Sequence, residues 1–327
     1  MEYRTIGETG LRASVIGLGT WVMGGWLWGG ASETESLATI REALDLGINL
    51  IDTAPIYGHG LAEELVGKAL RDSGLRDRVI LATKVGLEWD PGKTRVWRQS
   101  SRASILKEIQ ASLHRLDTDY IDLYQVHWPD TNVSFQETME TLLELQQQKI
   151  IRFLGVSNFS LSQLQQCLAV GSVQSHQPPF NLFERNVEQD LLPFCLTHHI
   201  GTLVYGSLCR GLLSGKYQGH ESFPEDDIRA IDPKFIQPRF GDYIKCVARL
   251  RPFAEAYGKT VGQLALRWCL DQPGVTIALC GARSLRQVQE NVGAADWVLS
   301  THDCECMQHI VDETIPSPIG PEFMGPA

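Results

Sequence analysis

The apolar segments of this chain of 327 residues end on side chains that could do chemistry. Six successive segments close on polar residues, and a tyrosine follows the first of them in a turn: Asp52 with Tyr57, Lys84, His127, Ser157 with Asn158, Gln177 and Tyr205. Taken singly, each has a structural explanation, such as a strand exit for Asp52 or a solvated side chain for Lys84. Six such endings in succession are hard to explain by packing, so we expect them to share one edge of a parallel sheet.

Asp52, Tyr57, Lys84 and His127 suit the protonation of a carbonyl oxygen. A phenol with a pKa of roughly 10 is a poor acid at neutral pH, and a neighbouring ammonium such as that of Lys84 lowers its pKa. Asp52 would keep the lysine charged and in place, while an imidazole at position 127 could orient the carbonyl oxygen or help carry the proton. Because no side chain donates hydride, reduction of the carbonyl requires a cofactor.

Eight short apolar runs must position these residues, and amphipathic helical segments separate them. The runs are 14–20, 49–53, 79–84, 120–126, 153–157, 173–177, 201–205 and 275–280. Most are continuously apolar, as strands covered on both faces are. Eight β/α alternations predict an α/β protein with a closed (β/α)8 TIM barrel, and a doubly wound open sheet is the alternative. In such a barrel the active site lies at the C-terminal ends of the strands, where the polar residues stand.

Other segments extend this barrel. Residues 3–14 predict an N-terminal β-hairpin that could close one end, and the polar, Pro- and Asp-rich residues 218–243 predict a long loop after strand 7 that could cover a ligand. The tail, 316–327, has too much Pro and Gly for a helix. Three helix starts carry pairs that fit a capping box, namely Ser32 with Glu35, Ser134 with Glu137, and Ser160 with Gln163.

Composition limits the function classes. With 43% hydrophobic and 21% charged residues, no run of about 20 apolar residues and no secretion signal, the chain predicts a cytoplasmic protein without a membrane partner. A net charge of −10 from scattered acids argues against nucleic acid as a partner. Eight irregularly spaced cysteines predict reduced thiols, and no His or Cys spacing supports a metal site.

Asp52, Tyr57, Lys84 and His127 together resemble the catalytic tetrad of the aldo-keto reductases. INLIDTAPIYGHGLAEELVGKAL contains the acid and the tyrosine, and IDLYQVHWPD contains the histidine. Further motifs follow in the family's order, namely GVSNF, QPPFN, YGSLCRGLLSGKY and IALCGARSLRQVQEN. The similarity extends from about residue 3 to about residue 311. Together with the ending PIGPEFM, it is greatest to the bacterial general-stress branch of NADPH-dependent members.

The resemblance implies one NADP-dependent oxidoreductase barrel domain over residues 1–327. Its activity would be the reversible NADPH-dependent reduction of aldehydes and ketones to alcohols, with hydride passing to the carbonyl carbon and Tyr57 as the general acid. Lys84 and Asp52 would tune the tyrosine, and His127 would orient the substrate. NADP(H) would bind without a Rossmann domain, since GLGTWVMGG and GLLSGKY both depart from the common nucleotide motifs. Its partners would be small carbonyl compounds, and the chain would be a monomer or a weak oligomer.

Carried over by position, the family's cofactor contacts fall into three groups. The nicotinamide end would contact Gly19, Thr20, Trp21, Asp52, Ser157, Asn158, Gln177 and, stacked under the ring, Tyr205. The pyrophosphate would be wrapped by the segment 206–216, with Arg229 closing over it. Its contacts would come from backbone N–H groups and from two basic side chains, among Gly206, Ser207, Leu208, Cys209, Arg210, Gly211 and Lys216. The adenosine end would contact Gly281, Arg283, Gln287, Glu290 and Asn291. Arg283 would favour NADP over NAD, because a fixed guanidinium suits a 2′-phosphate.

The substrate pocket is predicted to be apolar and aromatic, formed by Trp21, Trp26, Trp28, Tyr57, Trp89, His127 and Trp128. Two other functions remain open. One is a nucleotide-sensing regulatory subunit with slight turnover, as in relatives that act as ion-channel subunits, although those carry Asn where this chain has His127. The other makes Lys84 a Schiff-base lysine, although an adjacent Asp52 favours the charged amine.

Overall fold

Eight parallel strands close into a barrel in the computed structural model, which describes residues 1–326. The strands of the chain are β1 (Tyr3–Thr5), β2 (Arg12–Ser14), β3 (Ile16–Gly19), β4 (Leu50–Asp52), β5 (Ile80–Val85), β6 (Leu87–Trp89), β7 (Val96–Arg98), β8 (Ile121–Val126), β9 (Ile151–Ser157), β10 (Ser175–Gln177), β11 (Gly201–Val204) and β12 (Ile277–Gly281). The barrel order is β3-β4-β5-β8-β9-β10-β11-β12, with β12 pairing back to β3. The predicted (β/α)8 barrel is therefore confirmed, and each predicted run coincides with a barrel strand.

Helices cover the outside of the barrel. They are α1 (Glu33–Asp45), α2 (Leu61–Ser73), α3 (Arg102–Leu116), α4 (Phe135–Gln147), α5 (Leu161–Leu168), α6 (Leu191–Thr197), α7 (Arg239–Ala256), α8 (Val261–Asp271), α9 (Leu285–Val292) and α10 (Thr301–Thr314). The capping box predicted at Ser160 and Gln163 is complete. The capping boxes predicted at Ser32 and Ser134 are incomplete. Each serine side chain accepts the backbone N–H of the glutamate three residues later, but the glutamate side chain does not bond back to the serine. The side chain of Glu137 instead accepts the backbone N–H of Arg102, across to α3.

The N-terminal hairpin closes one end of the barrel, as predicted. Strands β1 and β2 pair antiparallel, and the fully buried Ile6 belongs with Leu11 to the apolar cluster that fills the barrel interior. The backbone of Gly7 sits against the start of β11, where a Cβ would lie 2.5 Å from the carbonyl oxygen of His199. This packing leaves the opposite end, at the C-terminal ends of the strands, for a site.

The long loop after β11 is shorter than predicted. We call residues 218–238 the lid; it holds two short 3-10 turns, Ile228–Ala230 and Pro233–Phe235. Helix α7 begins at Arg239, so the predicted range 218–243 extended five residues too far. Pro238 occupies the N-cap of α7, a place where proline does not interrupt helical hydrogen bonds, whereas the sequence suggested a continuing loop.

The tail, residues 316–326, crosses the same end of the barrel without a helix longer than the turn Glu322–Met324. Arg98 Nη2 donates to the carbonyl oxygen of Pro326 at 2.9 Å, and Lys234 Nζ donates to that of Gly320 at 3.1 Å. The tail is therefore held on both sides of the barrel mouth. Position 327 of the predicted tail lies outside the described residues.

Within residues 1–326, no helix is both long and apolar enough to cross a membrane. Over the same residues, no group of three His, Cys, Asp or Glu side chains could hold a metal ion. All eight cysteines are free thiols.

Candidate active site

Asp52, Tyr57 and Lys84 form one hydrogen-bonded group at the C-terminal ends of β4 and β5. Lys84 Nζ donates to Asp52 Oδ1 at 2.5 Å, to the carbonyl oxygen of Thr53 at 2.9 Å and to Tyr57 Oη at 3.2 Å. These three acceptors match the three donors of an ammonium group. The ring of His127 lies edge-on to that of Tyr57, with 5.7 Å between centroids. The structure thus brings the four predicted catalytic residues together.

Burial controls the electrostatics of this group. It raises the pKa of the Tyr57 phenol well above its ordinary value, and the Asp52 carboxylate raises it further. This direction is opposite to the one predicted from Lys84, because desolvation of the phenolate outweighs attraction to the ammonium. Burial also lowers the pKa of Lys84, and Asp52 opposes that shift. Burial, followed by the Lys84 charge, lowers the pKa of His127 well below 6.5, so its imidazole is neutral at physiological pH.

A cleft of about 350 Å³ extends from Tyr57 to α9. This volume is in the range of cofactor sites, which is roughly 300–1,000 Å³. All but four of the predicted cofactor residues line it, namely Gly19, Trp21, Asp52, Gln177, Tyr205, Gly206, Ser207, Leu208, Arg210, Gly211, Lys216, Arg229, Gly281, Arg283, Gln287, Glu290 and Asn291. Trp28 and Tyr57, from the predicted substrate pocket, line it as well.

The middle of the cleft is a backbone cradle. The segment after β11 contains five residues with positive φ, namely Gly206, Cys209, Arg210, Gly211 and Gly215. Segments that combine right- and left-handed residues can present backbone N–H groups to an anion. Here the N–H groups of Cys209 and Gly211 already donate to the carbonyl oxygens of Gly206 and Leu208, so a phosphate would be bound by the N–H groups of their neighbours. Positive φ is unfavourable at Cys209 and Arg210, and such strain clusters at ligand sites. The cradle is therefore suited to phosphate groups.

Positive charge surrounds the β12–α9 end of the cleft. Lys216, Arg283 and Arg286 line the cleft, and none of them forms an ion pair with a carboxylate anywhere in residues 1–326. Arg283 Nη1 donates to the carbonyl oxygen of Trp28 at 3.0 Å, which fixes the guanidinium. Because the whole chain is negative, these local cations are what would hold an anionic ligand.

The lid lies over the cleft and contacts its far wall. The backbone N–H of Ile228 donates to the carbonyl oxygen of Leu27 at 2.9 Å. Arg229 pairs with Asp227, and its guanidinium lies 5.4 Å from the Trp28 ring centroid. Arg229 therefore lies where it could close over a pyrophosphate in the cleft, as predicted, but its charge is already paired with Asp227.

Arg210 lines the cleft, but its guanidinium is committed to two carboxylates. It is buried, it donates through Nε to Asp232 at 2.6 Å, and it forms an ion pair with Glu184. Lys234 completes this ionic cluster of Glu184, Arg210, Asp232 and Lys234, with Nζ 2.8 Å from Glu184. The guanidinium of Arg210 is thus already paired, and its contact with pyrophosphate stays a prediction.

Four predicted cofactor residues lie behind the cleft wall. Thr20 Oγ1 donates to the carbonyl oxygen of Asp52 at 3.0 Å, and Ser157 Oγ donates to that of Gln177 at 2.8 Å. Asn158 Nδ2 donates to the carbonyl oxygen of His127 at 2.9 Å, and Asn158 Oδ1 accepts from Tyr205 Oη at 2.8 Å. Cys209 is buried under the cradle. Here the first three brace lining residues, and their direct contact with a cofactor stays a prediction.

The aromatic side chains predicted to bind substrate divide into two sets. Trp21 stacks near Tyr57 at 6.1 Å and meets Trp28 edge-on at 5.3 Å, beside the cleft. The others pack around Tyr57 without lining the cleft: Trp26, Trp89 and Trp128 belong with Tyr57 to one apolar cluster, and His127 lies against the same tyrosine.

Sequence reasoning missed several residues of this region. His59 lies between Trp26 and Trp89, at 5.0 and 5.4 Å, and its place two residues after Tyr57 was an available signal. Arg286 lies three residues after Arg283, in the first turn of α9, which was a second signal. Gln125 and Met324 had no local signal. The other cleft residues not predicted are Val22, Gly262, Leu279 and Cys280, whereas Ser214 and Gly215 belong to the predicted pyrophosphate segment 206–216.

The sequence matches the model of the aldo/keto reductase family over residues 15–312. Among curated relatives, it is 51% identical to the aldo-keto reductase YhdN of Bacillus subtilis, covering 100% of this chain and 98% of the relative. It is also 34% identical to the NADH-specific methylglyoxal reductase of Escherichia coli, over 95% of this chain and 99% of that protein.

Solved structures resemble the fold closely. The glycerol dehydrogenase AKR11B4 from Gluconobacter oxydans superposes with a TM-score of 0.90 at 43% identity, covering 99% of each chain. An aldo-keto reductase from Klebsiella pneumoniae in complex with NADPH gives a TM-score of 0.74 at 32% identity, covering 97% of each chain.

Proposed function

This chain belongs to the aldo/keto reductase family of oxidoreductases, and from that premise we propose that it reduces aldehydes and ketones to alcohols with NADPH, reversibly. Tyr57 is the proposed general acid. One observation carries the proposal: Tyr57 Oη lies 3.2 Å from Lys84 Nζ, which is itself 2.5 Å from Asp52, at the end of a cleft of about 350 Å³.

NADPH, when bound, supplies the hydride that the carbonyl carbon accepts. Tyr57 gives its proton to the carbonyl oxygen as negative charge develops there. Lys84 stabilises the phenolate that remains, and Asp52 holds the ammonium in place. The neutral His127 orients the carbonyl oxygen through a hydrogen bond. In the reverse direction the same phenolate accepts the proton of the alcohol.

The residues present fit NADP(H). Aromatic rings of Trp21 and Tyr205 stand at the end near Tyr57, the cradle suits a pyrophosphate, and Arg283 with Arg286 suits a 2′-phosphate. A relative from Klebsiella pneumoniae was solved with NADPH, whereas one from Escherichia coli is named NADH-specific. Because relatives differ in this respect, we propose from Arg283 and Arg286 that this chain prefers NADPH over NADH.

We also propose that residues 1–327 act as one barrel domain, on small carbonyl substrates, without nucleic acid or membrane partners. A cytoplasmic monomer or weak oligomer is the form we expect. An aldolase role for Lys84 is disfavoured, because its nitrogen is buried and surrounded by three acceptors. We retain a nucleotide-sensing subunit only as an outcome of the test below.

The test is the Tyr57→Phe variant, assayed by NADPH consumption with an activated aldehyde. We expect kcat to fall by at least about 100-fold, the lower range of general acid catalysis, while the Kd for NADPH stays within about twofold. Tyr120→Phe is the matched control, because Tyr120 immediately precedes β8, at the end of the barrel opposite the site, and the change removes one phenol hydroxyl there. Undiminished turnover in Tyr57→Phe would refute the acid role, and negligible wild-type turnover with tight cofactor binding would favour the sensing function.

A further inference from the structure

Gln125 joins the catalytic group to the wall of the cleft, although it belongs to neither. Its Nε2 donates to Asp52 Oδ2 at 3.3 Å, and its Oε1 accepts from Gln177 Nε2 at 3.4 Å. Gln177 Nε2 also donates to Asp52 Oδ2, at 2.8 Å. Gln125 is fully buried inside the barrel. The three side chains therefore form a closed triangle of hydrogen bonds.

The barrel register builds the place for this side chain. Gln125 pairs with Lys84 on β5 and with Gly155 on β9. A Cβ at position 155 would lie 3.1 Å from Gln125 Cγ and 2.1 Å from Ser175 Oγ. A side chain at position 155 would therefore crowd Gln125 and clash outright with Ser175, so the glycine keeps this side of Gln125 open.

Donor and acceptor chemistry fixes the orientation of both amides. An ionised carboxylate only accepts, so Gln125 and Gln177 must each present their NH2 group to Asp52. Both hydrogens of Gln177 Nε2 are then engaged, one by Asp52 and one by Gln125 Oε1. The side-chain oxygen Oε1 of Gln177, a residue of the cleft wall, is the atom left to accept a hydrogen bond from a ligand.

We propose that Gln125 is a positioning residue that holds the side-chain oxygen Oε1 of Gln177 towards the cofactor and holds Asp52 with Oδ1 towards Lys84. Gln125 couples the nicotinamide end of the cleft to the proton-donating group through this triangle. The inference rests on the proposed function, because the ligand of Gln177 is the carboxamide of NADP(H).

The test measures the Kd of two ligands for the wild-type protein and for Gln125→Leu, by quenching of tryptophan fluorescence. NADP+ contains the nicotinamide end, and adenosine 2′,5′-bisphosphate lacks it. We expect Gln125→Leu to weaken NADP+ binding about 5- to 10-fold, as the loss of one oriented hydrogen bond does, and to leave the bisphosphate Kd within about twofold. Tyr124→Phe is the matched control, since Tyr124 is the neighbouring buried residue of β8 and its hydroxyl has no hydrogen-bond partner in residues 1–326.

A double variant separates positioning from structural damage. If Gln125 acts through Gln177, then Gln125→Leu combined with Gln177→Leu should bind NADP+ no more weakly than Gln177→Leu alone. Additive losses, equal losses for both ligands, or unchanged NADP+ binding would overturn the proposal. Gln125→Met serves the same comparison if the leucine variant does not fold. Wild-type protein that fails to bind NADP+ would instead overturn the proposed function and this inference together.

Discussion

Tyr57 combines a raised pKa with a cation at hydrogen-bonding distance, and the two features act at different stages of the proposed proton transfer. The raised pKa keeps the proton on the phenol at neutral pH, so the acid is in its donor form before reaction. Lys84 Nζ, 3.2 Å from Oη, stabilises the charge that appears as the proton leaves. A raised pKa is thus compatible with the acid role that the sequence argument attributed to a lowered one.

Arg283 is the residue on which cofactor preference is expected to depend. Its guanidinium is fixed by the carbonyl oxygen of Trp28 and has no carboxylate partner among the described residues, so it is free to pair with a 2′-phosphate. In Arg283→Ala, we expect kcat/KM with NADPH to fall about 10- to 100-fold, the effect of losing a charged hydrogen bond, and kcat/KM with NADH to change little. Parallel assays with Arg286→Ala apportion the effect between the two arginines. An unaltered NADPH preference in both variants would place the phosphate elsewhere.

At the residue scale, the sequence predicted which catalytic side chains lie together. It did not predict the residue that holds them in place or the direction of the Tyr57 pKa shift. Asp52, Lys84 and His127 were found because each ends a run, and parallel strands bring such ends together. Gln125 lies one residue inside the end of its run, so nothing distinguished it from the apolar lining. The sign of the Tyr57 shift depends on how completely the barrel mouth excludes water, which no local pattern encodes.

The ionic cluster of Glu184, Arg210, Asp232 and Lys234 connects three elements around the cleft. Glu184 follows β10, Arg210 lies in the cradle, and the other two lie in the lid. All four side chains are buried, and two acids balance two bases. The tail joins them, since the Phe323 ring centroid is 5.6 Å from the Arg210 guanidinium carbon. The positions of cradle, lid and tail therefore depend on one buried charge balance.

Removing Lys234 should destabilise this junction. Lys234→Met leaves two carboxylates with one guanidinium in a buried place, an imbalance that costs about 3–5 kcal/mol. Urea unfolding measures the loss. Lys245→Met is the control, since Lys245 pairs with Asp242 on the exposed face of α7 and such pairs contribute little. Equal, small losses in both variants would show that the cluster does not anchor these segments.

Strands and helices were predictable where a clear apolar run or a clear helix-capping residue marked them in the sequence. The barrel strands and the N-terminal hairpin were found, whereas the hairpin of β6 and β7 was missed because its sequence, LEWDPGKTRVWR, is mostly charged and polar and contains no apolar run. The start of α7 was misplaced because the Pro and Asp residues of 218–243, among them Pro238 and Asp242, suggested a loop. The packing of the buried Phe240 and Tyr243 overrides that tendency.

The whole barrel determines which groups are kept from water, and one consequence is a dependence of stability on pH. His176 lies inside β10, fully buried, and its Nε2 donates to the carbonyl oxygen of Phe159 at 3.0 Å. Burial lowers its pKa from 6.5 to about 4. No run-end signal marked this histidine in the sequence, because its environment exists only once the barrel has closed.

The sign follows from proton binding. Below pH 6.5 the unfolded chain protonates His176 while the folded barrel keeps it neutral until about pH 4, so the unfolded state binds more protons and stability falls as pH falls. Between pH 7 and pH 5 this one residue should lower the free energy of unfolding by about 2 kcal/mol. In His176→Gln, which keeps a donor but cannot titrate, that part of the pH dependence should disappear, as measured by urea unfolding at both pH values. The control is His220→Gln, at an exposed position in the lid, which should keep the wild-type pH dependence. If the free energy of unfolding changes equally with pH in all three proteins, His176 already takes up its proton in the folded barrel at pH 5.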